Sequence, residues 1–186
     1  MLKDKAITCD IDGVLNFYPQ TLIDYAQNEY KISISDLPHF KSQNIKKYTE
    51  IKSAYRYSSY KHEACPRSFV VDKLNVLAND GYEIMVLTSR PFDRFPGMYE
   101  LTLKWLESIG LKFITLQSKT KSNIDLIKPI FHLDDELDQI LKIYSSKITF
   151  LLFQDLGMSH NIPSQSNIIQ VTEDTFCNEI DGLVHD

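Results

Sequence analysis

The chain has 186 residues, a formal net charge of -5, and 43% hydrophobic against 24% charged side chains. That leaves room for one core domain with a small insert, in an ordinary soluble composition, and argues against a general nucleic-acid binder, which carries a basic excess. No apolar stretch is long enough for a membrane span, "MLKDKAITCD" lacks the apolar region of a secretion signal, and Cys9, Cys65 and Cys177, scattered without metal-type spacing, suit a reducing cytoplasm.

In chain order, "KAITCD" reads as a short buried strand that ends abruptly in Asp10 and Asp12, followed by Gly13. Residues 14–66 hold no convincing buried strand. They read as helices, "PQTLIDYAQNEY" and "NIKKYTEIKSAYRYSSY", forming a small helical cap inserted into a core made of residues 1–13 and 67–186. The rest alternates regularly. "PRSFVVDKLNVLANDG" puts Val70, Leu74 and Leu77 on one helical face before Gly81, and "YEIMVLTS" is the next strand. "GMYELTLKWLESIG" aligns Met98, Leu101, Trp105 and Ile109, and "LKFITLQ" and "IFHLDD" are strands. "DELDQILKIYSS" aligns Leu137, Ile140, Leu141 and Tyr144, and "KITFLLF" is the last strand of the pattern. Such alternation predicts an α/β chain: a parallel sheet with helices on both faces.

In open parallel sheets ligands bind outside the carboxyl ends of the strands. An extended backbone at Asp10 and Asp12 sends both carboxylates to one side and Ile11 to the other. Thr88, Ser89 and Arg90 follow the second strand, the lysines of "SKTKSN" the third, and Asp134 and Asp135 the fourth. Carboxylates brought together repel unless a hard cation lies among them, and Mg2+ takes oxygen ligands while sharing its shell with a phosphate. An aspartate there can attack phosphorus, a second can move protons, and a lysine and a hydroxyl can steady the phosphoryl oxygens. The set fits phosphoryl transfer through a covalent intermediate.

"CDIDGVL", "VLTSRP", "SKTKSN" and "HLDDE" resemble, in order and spacing, the four motifs of the haloacid dehalogenase-like hydrolases, over about residues 5–155. The resemblance implies a Rossmann-like α/β core with a small helical cap, in a Mg2+-dependent phosphomonoesterase. It makes Asp10 the nucleophile and a metal ligand, and Asp12 the general acid/base that binds the metal through its backbone carbonyl. Thr88 becomes the phosphate-binding hydroxyl, Asp134 the acidic metal ligand and Asp135 its partner. The third-motif lysine is either Lys119 or Lys121. Lys121 is preferred, because it precedes a potential capping box of Ser122 and Asp125. An aspartate at Asp12 follows the phosphatase pattern of the family.

For substrate, half of the 10 Phe and 10 Tyr side chains fall between residues 14 and 70, and such rings could stack on a nucleobase. Phe17 and Tyr18, just after the catalytic loop, are the first to consider, with Ser89 and Arg90 on the phosphate side. "DIDGVL", "TSRP" and "KWLESIG" resemble the deoxyribonucleotidase-type branch, which implies a nucleoside monophosphate as the small phosphorylated partner and places His160 and Asn161 near the site. The alternatives are a sugar-phosphate phosphatase or phosphomutase on the same scaffold, or a catalytically silent binding protein.

Overall fold

The computed structural model describes residues 5–154, 162 and 167–185. Six parallel strands form one sheet in the order β3-β2-β1-β4-β5-β6. These are β1 (Ala6–Cys9), β2 (Glu83–Thr88), β3 (Thr115–Ser118), β4 (Phe131–Asp134), β5 (Thr149–Phe153) and β6 (Ile168–Val171). β1 is central, with Ala6–Cys9 against Glu83–Val86 on one side and Thr8–Cys9 against His132–Leu133 on the other. The order reverses between β1 and β4, the place where a doubly wound sheet leaves a crevice at its strand ends.

The helices explain the apolar strands. On one face α5 (Ser68–Asn79), α6 (Met98–Ser108) and α9 (Glu173–His185) supply Val70, Leu74, Trp105, Phe176 and Ile180 to a core shared with Val86, Leu151 and Phe153. On the other, α7 (Lys121–Ile127) and α8 (Leu137–Ile143) pack Ile124, Ile140 and Ile143 against Leu87, Phe150 and Leu152. Neighbouring strand residues thus feed opposite cores, as the two-residue period of a strand requires.

Between β1 and α5 lie α1 (Gln20–Tyr30), α2 (Leu37–Gln43), α3 (Ile45–Tyr55) and α4 (Ser59–His62). They share a separate apolar cluster built on Leu22, Tyr25, Ala26, Tyr48, Ile51 and Tyr55. The two ends of this insert meet at an antiparallel bridge between Asn16 and Pro66, and the Arg67 amide donates to the Leu15 carbonyl at 2.9 Å. The Trp105 indole donates to the Ala64 carbonyl at 3.0 Å, tying α6 to the exit of the insert.

Three details depart from the sequence reading. β6 adds a strand beyond the five expected, and α2 lacks a sequence signal because it buries no side chain fully, only partly covering Leu37 and Phe40. Leu141 faces solvent, 47% exposed, because α8 ends after seven residues and Ile143 takes the inward position. Among the described residues no helix is long and apolar enough to cross a membrane.

Candidate active site

β1 stops at Cys9, and the chain turns instead of staying extended. The Asp10 amide donates to the Leu133 carbonyl at 2.8 Å, and the Val14 and Leu15 amides fold back onto the Ile11 carbonyl at 3.3 and 2.8 Å. The two carboxylates therefore reach one cavity through a turn, not through strand alternation, and they find different partners. Gly13 makes the turn possible at φ +83, and a Cβ there would stand 1.8 Å from Asp135 Oδ2. Asn16, fully buried, holds the loop. Its Oδ1 accepts from the Gly13 and Tyr18 amides at 3.2 and 3.0 Å, while its Nδ2 donates to Asp12 Oδ1 at 3.0 Å.

Lys119, at the end of β3, bridges Asp10 and Asp134. Its Nζ donates to Asp10 Oδ2 at 2.6 Å and to Asp134 Oδ2 at 2.7 Å. Lys121 is elsewhere: it donates to the carbonyls of Ile143 and Tyr144 and pairs with Asp125 at 3.2 Å. The preference for Lys121 is therefore corrected to Lys119. The physical reason is that α7 is capped by Thr120, whose Oγ1 accepts from the Asn123 amide, so the expected Ser122–Asp125 box is not used. Lys121 becomes the first helical residue and points away.

At the end of β2, Thr88 is buried in the cavity wall and its carbonyl accepts from the Lys119 amide at 2.8 Å. Ser89 also lines the cavity but is exposed. Arg90 is buried, and its guanidinium grips Asp12 with Nη2–Oδ1 at 2.8 Å and Nε–Oδ2 at 3.2 Å. Its Nη1 donates to Thr102 Oγ1 at 3.0 Å, which fixes the fork. At the end of β4, His132 packs beneath the site, with Nδ1 2.8 Å from Thr8 Oγ1 and Nε2 3.2 Å from Asp134 Oδ2.

The charges divide into two groups. Asp10, Asp134 and Asp135 offer oxygens all within 4.8 Å of one another. Burial pushes the Asp10 carboxyl up to about 6 against the pull of Lys119, with the charge of Asp134 adding to the rise. Asp135 is raised well above the carboxylate range by burial and by the charges of Asp10 and Asp134. Asp134 goes the other way: burial opposes its ionisation, but the His132 hydrogen bond and the Lys119 charge outweigh it. This crowding of hard oxygen donors, with one lysine among them and no Cβ at Gly13 to fill the cradle, fits a divalent cation. Asp12 belongs to the second group. Burial works against its charge, but Arg90 and Lys61 hold its carboxyl well below the usual range.

Lys61 comes from the insert, on α4, and its Nζ donates to Asp12 Oδ2 at 2.5 Å. Burial, then the Arg90 charge, push its ammonium down to about 7 although Asp12 pulls upward. The same cavity, about 120 Å³, is lined from the insert by Tyr18, Lys52, Tyr55 and Arg56. Phe17 is not among its walls; its ring lies 4.4 Å from the Arg67 guanidinium and is 41% exposed. Tyr18 does line it, but Lys52 and Lys61 sit 5.5 and 5.6 Å from its ring centroid. His160 and Asn161 lie outside the described residues. Sequence reasoning missed Asn16, Lys52, Arg56 and Lys61. For Asn16 the buried run "DIDGVLN" was a usable signal, whereas the three insert cations sit in a helical tract that reads as solvated.

In sequence, no family model and no curated protein matches the chain. In structure it is similar to a HAD family hydrolase from Deinococcus radiodurans R1, solved with bound phosphate and sodium: TM-score 0.63 at 9% identity, covering 98% of this chain and 97% of that one. It is also similar to a "predicted phosphatase" from Clostridium acetobutylicum, with TM-score 0.60, 14% identity, and 98% and 100% coverage. A haloacid dehalogenase-like family hydrolase from Streptococcus pneumoniae gives TM-score 0.57 at 14% identity, covering 83% and 86%. With its parallel six-stranded sheet and this strand order, the chain has the fold of the haloacid dehalogenase-like hydrolases.

Proposed function

We propose that the protein is a Mg2+-dependent phosphomonoesterase that works through an aspartyl-phosphate on Asp10. The observation that carries this reading is the meeting of four strand ends: Lys119 donates to Asp10 at 2.6 Å and to Asp134 at 2.7 Å, beside an Asp12 clamped separately by Arg90. Asp10, Asp134 and Asp135 would hold the ion, with the Asp12 carbonyl as the family resemblance implies. When bound, Mg2+ polarises the phosphoryl oxygens and offsets their charge.

The side chains then divide the work. Asp10 attacks phosphorus with one oxygen; the bond to the ester oxygen breaks, and the leaving group departs with its electron pair. Lys119 and Thr88 steady the negative charge on the phosphoryl oxygens. Asp12 exchanges the protons. Held as a carboxylate, it is ready to take one from the water that attacks the phosphoaspartate. Lys61, whose ammonium is 2.5 Å from Asp12, hands Asp12 the proton that it passes to the leaving oxygen, and recovers one from Asp12 after the water has been deprotonated.

The substrate on this reading is a small phosphate monoester. A nucleoside monophosphate, suggested by the sequence, needs an open ring face, and most insert rings are built into the cluster around Tyr25 and Tyr55. A sugar phosphate needs no such face. The test is Mg2+-dependent phosphate release from p-nitrophenyl phosphate, nucleotides and sugar phosphates by the unaltered chain and by Asp10→Asn. The variant keeps the side-chain shape and loses the attacking charge, so turnover should fall to background with an unchanged circular dichroism spectrum. Near-normal turnover in Asp10→Asn would remove the covalent route.

A further inference from the structure

We infer that the cavity beyond the phosphate receives a second anionic group of the substrate, held by Lys52 and Arg56 of the insert; this rests on the phosphatase reading above. Among the described residues that line the cavity, Asp10, Asp12 and Glu136 are acids and Lys52, Arg56, Lys61, Arg90 and Lys119 are bases. Three of the bases are already spent: Lys119 on Asp10 and Asp134, Arg90 and Lys61 on Asp12. Lys52 and Arg56 make no ion pair among the described residues, and exposed Glu136 pairs with neither.

Both cations are also held in place. Lys52 Nζ donates to Tyr18 Oη at 3.1 Å and to the buried Tyr48 Oη at 2.9 Å. An ammonium has three N–H donors, so one is left over, on a head group already oriented by two phenols. Arg56 lies over the Phe95 ring, 4.5 Å from its centroid, and its N–H donors pair with no carboxylate among the described residues. Two part-buried cations on the wall of one cavity, neither paired with a carboxylate, leave positive charge there for a ligand to answer. The Lys52 charge contributes to pushing the neighbouring Lys61 ammonium down. A carboxylate or phosphate pairs the charge of Lys52 and Arg56, which a neutral nucleobase cannot do, and the Tyr18 ring that a base would use already has the two lysines against it. At about 120 Å³ the cavity suits a small phosphate ester.

The experiment compares phosphate esters of similar size that differ in the charge of the far end: 2-phosphoglycolate, ethyl phosphate and O-phosphoethanolamine, with ethylene glycol bisphosphate as the phosphate-ended arm. Binding to Mg2+-loaded Asp10→Asn is measured by calorimetry, and kcat/KM with the unaltered chain. The proposal expects an anionic far end to bind roughly tenfold or more tightly than ethyl phosphate, with phosphoethanolamine weakest. Either anionic arm alone showing that preference supports it and identifies which anion the site takes. Adding Lys52→Gln and Arg56→Gln should collapse the ratio of 2-phosphoglycolate to ethyl phosphate towards unity. Equal binding of the charged and neutral esters, or a ratio that survives both substitutions in a folded protein, would overturn it. If the unaltered chain releases phosphate from none of the esters, or from p-nitrophenyl phosphate either, the phosphatase reading itself fails and takes this inference with it.

Discussion

At the scale of single residues, the site depends on one lysine of two. Lys119 and Lys121 are neighbours in sequence, yet one is buried between two carboxylates and the other is tied to carbonyls at the end of α8. On the proposed mechanism Lys119, and not Lys121, counters charge building on a phosphoryl group at Asp10. Lys119→Met should lower kcat by ~10²–10³-fold, the range for removing one pre-aimed donor, while Lys121→Met should change it by less than about threefold, as exposed surface changes do. Steady-state kinetics on p-nitrophenyl phosphate distinguishes them, and equal losses would return the ambiguity. The sequence left that choice open because both lysines fit a strand end, and the residue that decides it, the Thr120 cap, acts only once the helix start is fixed. Asp10, Asp12, Thr88 and Asp134 were legible because strand ends in a parallel sheet have few places to go. Lys61 was not: its partner Asp12 is 49 positions away, and nothing periodic joins them.

At the scale of elements, the insert is held by its own interior. Leu22, Ala26, Ile51 and Tyr55 are almost fully buried, and Tyr25 packs at 5.4–5.9 Å ring distances against Tyr30, Tyr55 and Tyr60. The aromatic density of this segment, which in sequence suggests base stacking, is largely the filling of a thin helical layer. Short helices cannot hold themselves together by propensity, so the cluster must do it. Ile51→Ala should remove roughly 2–5 kcal/mol from that layer. Because this cluster is separate from those on the sheet, amide exchange should accelerate first in α1 and α3 and leave β1 and β4 protected. Uniform acceleration through β1 and β4 would mean that the insert and the sheet unfold as one unit. Elements with an apolar face, such as α5 and α6, were readable from the sequence; α2 and β6 were not, since one buries no side chain fully and the other is four residues long.

At the scale of the whole molecule, the sheet gathers Asp10, Asp134 and Asp135 at its centre, with Lys119 among them. A carboxyl whose value in the fold is raised contributes stability below its unfolded value and loses it as pH rises through the folded one. Asp10 is pushed up to about 6, first by burial, and Asp135 is raised well above the carboxylate range, so the metal-free fold loses stability as pH climbs from the ordinary carboxylate range through about 6. Asp12 and Asp134 are held low and stay ionised across that window, contributing no change there. His62, lowered chiefly by burial, acts in the opposite sense, since a buried neutral imidazole gains stability as pH rises. Its contribution is the same with or without an ion and cancels in a difference. A divalent cation binds the deprotonated carboxylates and competes with their protons. The Tm gained on adding Mg2+ to chelator-treated protein should therefore grow with pH across about 6. At a hundredfold excess over Kd the gain is roughly 2.7 kcal/mol, or several °C for a chain of this size. Asp134→Asn should shrink the gain at every pH. Thermal melts with chelator and with Mg2+ at each pH measure it directly. A gain that falls as pH rises would mean that the ion is not held by these carboxylates, and no gain at any pH would take Mg2+ out of the mechanism, leaving Lys119 alone to balance three acids.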